Sequence, residues 1–289
     1  MNPLDLLWLF FVVSSLQPLI QQRILALKRT QALQALERRN RSRVITMIHR
    51  REGFAFLGIP FGGFIDIDDS EAVIRAIELT DPQMPIDLVL HTPGGLVLAA
   101  EQIAWALADH PGPVTVYIPH YAMSGGTLIA LAADRIVMSP SAVLGPVDPQ
   151  IGELPVASIL AAVGQKDANE VDDRTLILAD VGRKAQRQVH ETVSRLLRRH
   201  MNDARADEVA TTLSEGRWTH DFPIDAAHAM VLGLPVSTDL PNEVRALMSL
   251  YPQPRGRRPS VEYIPHPYEA PRRPDPQPAG APGRRGGAR

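Results

Sequence analysis

The chain has 289 residues, enough for one sizeable α/β domain with appendages. Its 30 basic and 32 acidic residues nearly cancel, so no global field points to nucleic acid, and no nucleic-acid partner is expected. The absence of cysteine excludes disulfides, thiol nucleophiles and cysteine-ligated metals.

Leu6 to Ile20 form an apolar run broken only by Ser14, Ser15, Gln17 and Pro18. With its flanks it is just long enough to span a bilayer. A cleaved signal would carry basic residues in front; here Arg23, Lys28, Arg29, Arg38 and Arg39 follow instead. The positive-inside rule then predicts an uncleaved single-pass anchor over residues 1–22, with the rest of the chain in the cytoplasm. A cleaved signal or a buried amphipathic helix is the alternative. Residues 23–43 read as a basic helical linker, with Ile24, Leu27, Leu33 and Leu36 loosely at helical spacing; a spacer role is expected.

Residues 44–250 are expected to form the main domain. Strands are predicted at Val44–Ile48 and Phe54–Ile59, the latter ended by Pro60, Gly62 and Gly63. Asp69 and Ser70 are expected to cap a helix from Glu71 to Leu79. Then comes a repeating order of strand, glycine turn and helix: Ile86–Leu90 with Leu96–Ala108, Val114–Ile118 with Ser124–Ala133, and a further strand at Arg135–Met138. Strands alternating with helices of this length indicate βαβ crossovers and a mainly parallel sheet. A long helix is expected over Thr175–His200. Residues 251–289 carry ten prolines, eight arginines and five glycines, and read as a largely disordered tail.

The two glycine turns carry the chemistry. One is His91-Thr92-Pro93-Gly94-Gly95, the other Ala122-Met123-Ser124-Gly125-Gly126-Thr127. A Gly-Gly pair between strand and helix brings the backbone close to a ligand and bares its N–H groups, while a serine in the second turn can aim a hydroxyl at the same space. One turn then supplies oxyanion donors and the other a nucleophile. The plain alternative makes Ser124 a helix N-cap and the first motif a tight turn.

These motifs, with the later stretch Glu215-Gly-Arg-Trp-Thr-His-Asp-Phe-Pro-Ile-Asp-Ala-Ala-His-Ala-Met-Val-Leu-Gly-Leu-Pro-Val236, resemble the Clp-protease/crotonase superfamily. Within it the chain looks like the serine dehydrogenase proteinase family, relatives of signal peptide peptidase A, over about residues 44–265. The resemblance implies a membrane-associated serine protease fold of stacked βαβ units.

Members of that superfamily activate the serine with either a His–Asp pair or a lysine. A Clp-type histidine would follow the serine by about 25 residues, but none lies between His120 and His190, and Pro149 stands near that register. His91 and His120 lie in or beside the two turns and could reach Ser124 in space, but His91 reads as a supporting or structural residue and His220 as structural. Only three of the 30 basic residues are lysines. Lys166 lies in a polar, acidic loop. Lys184 has Val181 and Ile177 one and two turns before it and Arg183 and Arg187 beside it, a setting that would lower its pKa; Asp180 could instead keep it charged. Lys184 is therefore the expected general base and Lys166 the second choice.

The sequence thus leads to a membrane-anchored serine endopeptidase with Ser124 as nucleophile, Lys184 as base, and Gly94, Gly95 and Gly125 around the oxyanion. No metal and no organic cofactor is expected. The expected partners are a peptide or membrane-protein substrate, the membrane, and further copies of the chain. A crotonase-like acyl-coenzyme A enzyme and a non-catalytic membrane scaffold are the alternatives. Val189, Val193, Leu196, Leu197 and Val209 are candidates for the subunit interface.

Overall fold

The computed structural model describes residues 3–49, 55–56, 59–60 and 63–251; the side chains of 3–16, 18–19, 55–56, 59–60 and 168 lie outside the description. Helix α1 runs unbroken over Pro3–Asn40, about 57 Å at 1.5 Å per residue. No helix break therefore separates the expected anchor from the expected linker. Among the described residues no helix is long and apolar enough to cross a membrane. The anchor expected over residues 1–22 is thus not found as a spanning helix among the described residues. Its run, Leu6–Ile20, contributes only the Gln17 and Ile20 side chains to the description.

Strand β1 (Arg43–Ile48) follows as expected. In place of a single strand at 54–59 stand β2 (Ala55–Phe56) and β3 (Ile59–Pro60), paired antiparallel. Pro60 has no N–H for a ladder, which suits a short edge pairing. Helix α2 (Ile67–Glu78) begins earlier than predicted, because Asp66 is the N-cap and Asp69 the third helical residue of a reciprocal capping box. The expected elements then appear in order, β4 (Ile86–His91), α3 (Val97–Ala108), β5 (Val114–Ile118), α4 (Gly125–Ala130) and β7 (Arg135–Met138), with a short unexpected strand, β6 (Tyr121–Ala122), before α4. Next come β8 (Val143–Leu144), the hairpin β9 (Gln150–Ile151) and β10 (Leu154–Pro155), and α5 (Val156–Gly164). Helices α6 (Asp173–Leu197) and α7 (Asp203–Ser214), then β11 (Ile224–Asp225), α8 (Ala226–Val231), β12 (Val236–Ser237) and α9 (Asn242–Ser249), complete the described chain.

The central sheet has the order β1-β4-β5-β7-β12, and every neighbouring pair is parallel. Alternation along its strands serves two cores. Leu88, Leu90, Val116 and Ile118 face a large core with Ile103, Leu107, Val193, Leu196 and Val209. Val89, Tyr117 and Val137 face a smaller one with Leu36, Val244 and Leu247. The residues expected at a subunit interface are therefore inside the chain: Val189, Val193, Leu196, Leu197 and Val209 are at most 3% exposed, because α7 packs along α6 and covers them.

The linker is not a spacer over its second half. Leu36 is buried against the sheet, Arg29 Nε donates to the Leu250 carbonyl at 2.9 Å, and Arg39 pairs with Glu243 on α9. Buried Asp87 accepts from Ser42 Oγ at 2.6 Å and Asn40 Nδ2 at 2.7 Å. Burial, with Asp87 alongside, pushes the Tyr117 hydroxyl up to about 12. Tyr251, expected in the tail, belongs to this layer: its ring lies 4.1 Å from the Arg29 guanidinium. The rest of the expected tail, 252–289, lies outside the described residues.

Candidate active site

The two turns meet. The Thr92 N–H donates to the Tyr121 carbonyl at 3.2 Å, and the Met123 N–H donates to the Thr92 carbonyl at 3.0 Å. Ser124 holds a left-handed backbone, φ 52° and ψ −115°, an unfavourable conformation for a side-chain-bearing residue. It stands at the N-cap position of α4, yet its hydroxyl makes no capping hydrogen bond. The N-cap alternative therefore does not explain this serine. A strained strand-to-helix turn is how a nucleophile is held out of its helix.

Gly94 has φ +107°, and an added Cβ would stand 2.9 Å from the Ser124 Cβ. A Cβ on Gly95 would stand 2.2 Å from the Ile65 carbonyl oxygen, so the strap at Ile65 requires glycine there. The Gly94 N–H donates to Thr92 Oγ1 at 3.2 Å and Gly94 does not line the cleft. The Gly94 N–H, expected to face an oxyanion, is engaged within the turn. Gly95 and Gly125 do line the cleft with Ser124.

This cleft, about 400 Å³, also presents Val97, Leu128, Asp148, Gln150 and His220. A three-stranded sheet of order β11-β8-β6 brings together the segments that carry Ser124, Asp148 and His220. Strand β6 leads into Ser124, β8 leads towards Asp148, and β11 begins just after His220. Thr127 Oγ1 lies 2.8 Å from the carbonyls of both Ala122 and Gly145 and accepts from the Gly145 N–H at 3.0 Å, tying the serine helix to the aspartate loop.

His220 Nδ1 lies 2.8 Å from Asp148 Oδ1, and Gln150 Nε2 donates to Asp148 Oδ2 at 2.8 Å. Asp148 is 3% exposed and His220's side chain 34%. The hydrogen bond to Asp148 raises the imidazole above its ordinary value, against the opposing effect of burial. An Nδ1–H directed at the carboxylate leaves Nε2 as the proton acceptor. His220, read from the sequence as structural, stands at the cleft beside a buried carboxylate. Sequence spacing pointed to Pro149 and missed Asp148 next to it. The signal that could have found the pair was an acidic residue and a histidine flanking two short strands, not a fixed interval.

Neither lysine lines the cleft. Lys184 Nζ donates to Asp180 Oδ2 at 2.5 Å, with side chains 58% and 54% exposed. The hydrogen bond from Lys184 holds the Asp180 carboxyl below the usual carboxylate range. Ile177 and Val181, expected to desolvate the lysine, are 63% and 47% exposed. Lys166 is exposed just after α5. His91 is buried with its ring 4.2 Å from the Tyr121 ring and 5.6 Å from the His120 ring, and neither histidine lines the cleft.

A family model described as "ClpP-like SDH-type serine proteinase" matches residues 2–277. Two uncharacterized proteins of Methanocaldococcus jannaschii are similar along nearly their whole length. MJ1495 is 51% identical over 269 residues, covering 93% of this chain and 92% of its own; MJ0137 is 53% identical over 262 residues, covering 91% and 92%. Among solved structures, a mutant of the 1510-N membrane-bound stomatin-specific protease superposes with a TM-score of 0.45 at 20% identity, over 71% of this chain and 82% of that one. With a family match over almost every residue, the chain belongs to the ClpP-like SDH-type serine proteinases.

Proposed function

We propose that this protein is a serine peptidase in which Ser124 is the nucleophile, His220 the general base, and Asp148 the group that orients His220. The observation that carries the reading is the single cleft shared by Ser124, His220 and the buried Asp148. In acylation the Ser124 oxygen bonds to the scissile carbonyl carbon and its proton passes to His220 Nε2. The oxyanion is received by the N–H groups of Gly95 and Gly125. The C–N bond then breaks and the imidazolium returns its proton to the departing amine. Water repeats the sequence to release the acyl group, restoring Ser124.

The lysine scheme has less support. Lys184 lies outside the Ser124 cleft, and its amine is engaged with Asp180 on an exposed stretch of α6. An adjoining groove of about 550 Å³, lined by Trp105, Gln188, Thr192 and Arg195, shares Val97, Pro149, Gln150 and Val189 with the Ser124 cleft. Together the two suit an extended peptide, whose source we take to be a membrane protein. Anchoring through residues 1–22, with the domain on the cytoplasmic side, is part of the same proposal and is supported by the Leu6–Ile20 run and the basic residues after it. Exposed apolar side chains at Phe64, Leu98 and Ile177 support assembly of several copies.

The test is covalent labelling by a fluorophosphonate together with hydrolysis of a peptide library. Wild type should label and cleave, and Ser124→Ala should do neither while keeping its melting temperature. Full activity in Ser124→Ala would end the assignment.

A further inference from the structure

An Asp–His–hydroxyl chain runs from Asp69 through His49 to Thr92, in the turn beside the cleft. His49 follows β1, and its Nδ1 is 2.8 Å from Thr92 Oγ1. Its Nε2 is 3.1 Å from Asp69 Oδ2, the oxygen that also accepts the Asp66 N–H in the α2 capping box. Thr92 is fully buried, so its hydroxyl cannot act as a nucleophile. It accepts the Gly94 N–H at 3.2 Å and lies 3.4 Å from the Gly94 carbonyl oxygen.

One assignment of protons satisfies the neutral imidazole. A neutral ring without hydrogen on Nε2 would set a lone pair against the Asp69 carboxylate, so Nε2 carries the proton and donates to Asp69. Nδ1 then accepts, and the one hydrogen Thr92 possesses goes to it at 2.8 Å rather than to the longer contact with the Gly94 carbonyl. The oxygen of Thr92 is left to accept from Gly94. The result is a one-way series, Gly94 N–H to Thr92 to His49 to Asp69, in which each hydrogen bond polarises the next.

Resting on the hydrolase reading above, we propose that Thr92 and His49 are positioning residues that fix the oxyanion turn. By holding the Gly94 N–H inward they set the orientation of the next peptide, that of Gly95, which lines the cleft. The Ile65 strap grips the same turn from its other side: the Ile65 N–H donates to the Gly94 carbonyl and the Leu96 N–H to the Ile65 carbonyl, both at 2.8 Å. The turn is thereby organised before substrate arrives, which is what an oxyanion donor requires. Neither residue touches substrate.

The experiment compares full-length wild type, Thr92→Val, Thr92→Ser and His49→Ala for peptide hydrolysis, fluorophosphonate labelling and thermal melting. It also reads the His49 ring nitrogens of wild type by nitrogen-15 NMR. Thr92→Val keeps the shape and loses the hydroxyl; it should lower kcat about 100-fold, the scale of a misplaced catalytic group, with KM little changed. Thr92→Ser should recover most of the rate, His49→Ala should behave like Thr92→Val, and the NMR should show the proton on Nε2. A Thr92→Val protein as fast as wild type, a loss confined to KM, or a His49 proton on Nδ1 overturns the inference and leaves the hydrolase reading standing. A wild type that neither labels nor cleaves overturns both.

Discussion

His220 is where local electrostatics has the clearest kinetic consequence. Its hydrogen bond to Asp148 favours the imidazolium and raises its pKa above 6.5, whereas a general base must be neutral. Peptidase kcat/KM should therefore climb with pH through a limb lying above 6.5. Asp148→Asn removes the anion while burial continues to disfavour the charged ring. The limb should move to lower pH, and kcat should fall by something on the order of 10⁴-fold, the scale for losing the triad carboxylate. A pH–rate profile of both proteins decides this; a limb below 6.5 in wild type, or one unmoved by the substitution, contradicts the assignment. The stability contribution has the opposite sense: it is fully present below the unfolded value and fades as pH rises through the folded one.

Among the elements, the second half of α1 differs most from its sequence-based expectation. A basic stretch of low apolar content reads as a solvated spacer, yet Leu36 is 3% exposed and Ser42 and Asn40 satisfy the buried Asp87 carboxylate. Leu36→Ala should accordingly cost about 2–5 kcal/mol in urea denaturation, the range for a truncated core leucine. Because Leu36 packs on the sheet face opposite the large core, fluorophosphonate labelling at low temperature should persist. A loss below about 0.5 kcal/mol, typical of a surface position, would return this segment to the role of a spacer. The same packing locates a sensible truncation point. A chain starting at Arg43 lacks the layer that covers Val44 and Val89, whereas one starting at Arg23 keeps it.

For the molecule as a whole, α1 joins the terminal apolar run to the domain without a break. Movement of a membrane-embedded first segment would be transmitted to the sheet through one helix. If residues 1–22 anchor the chain, full-length protein should sediment with membranes and resist carbonate extraction, and the chain starting at Arg23 should remain in the supernatant. Full-length protein released by carbonate would instead indicate peripheral attachment. The assembly proposal also changes its surface. The apolar residues of α6 are consumed by α7, so a contact between copies must use side chains left outside the core, such as Ile177 and Val181.

Short-range chemistry made much of this protein readable from sequence. Short apolar runs marked the strands Val114–Ile118 and Arg135–Met138, and an alanine-rich helix followed each glycine turn. Gly95 and Ser124 were recognisable because close backbone approach and a strand-to-helix turn constrain residue type locally. What the sequence could not reveal was which distant groups would share the cleft. Asp148 and His220 are 72 residues apart and meet through the pairing of β8 with β11, a contact two residues long with no pattern of its own. Lys184 had a suitable local sequence, but whether its helix face met the site or solvent depended on how α6 packed, and α7 took the apolar side. Propensity and turn chemistry act over a few residues, whereas a catalytic constellation depends on strand register and helix rotation, and these are decided only when the cores close.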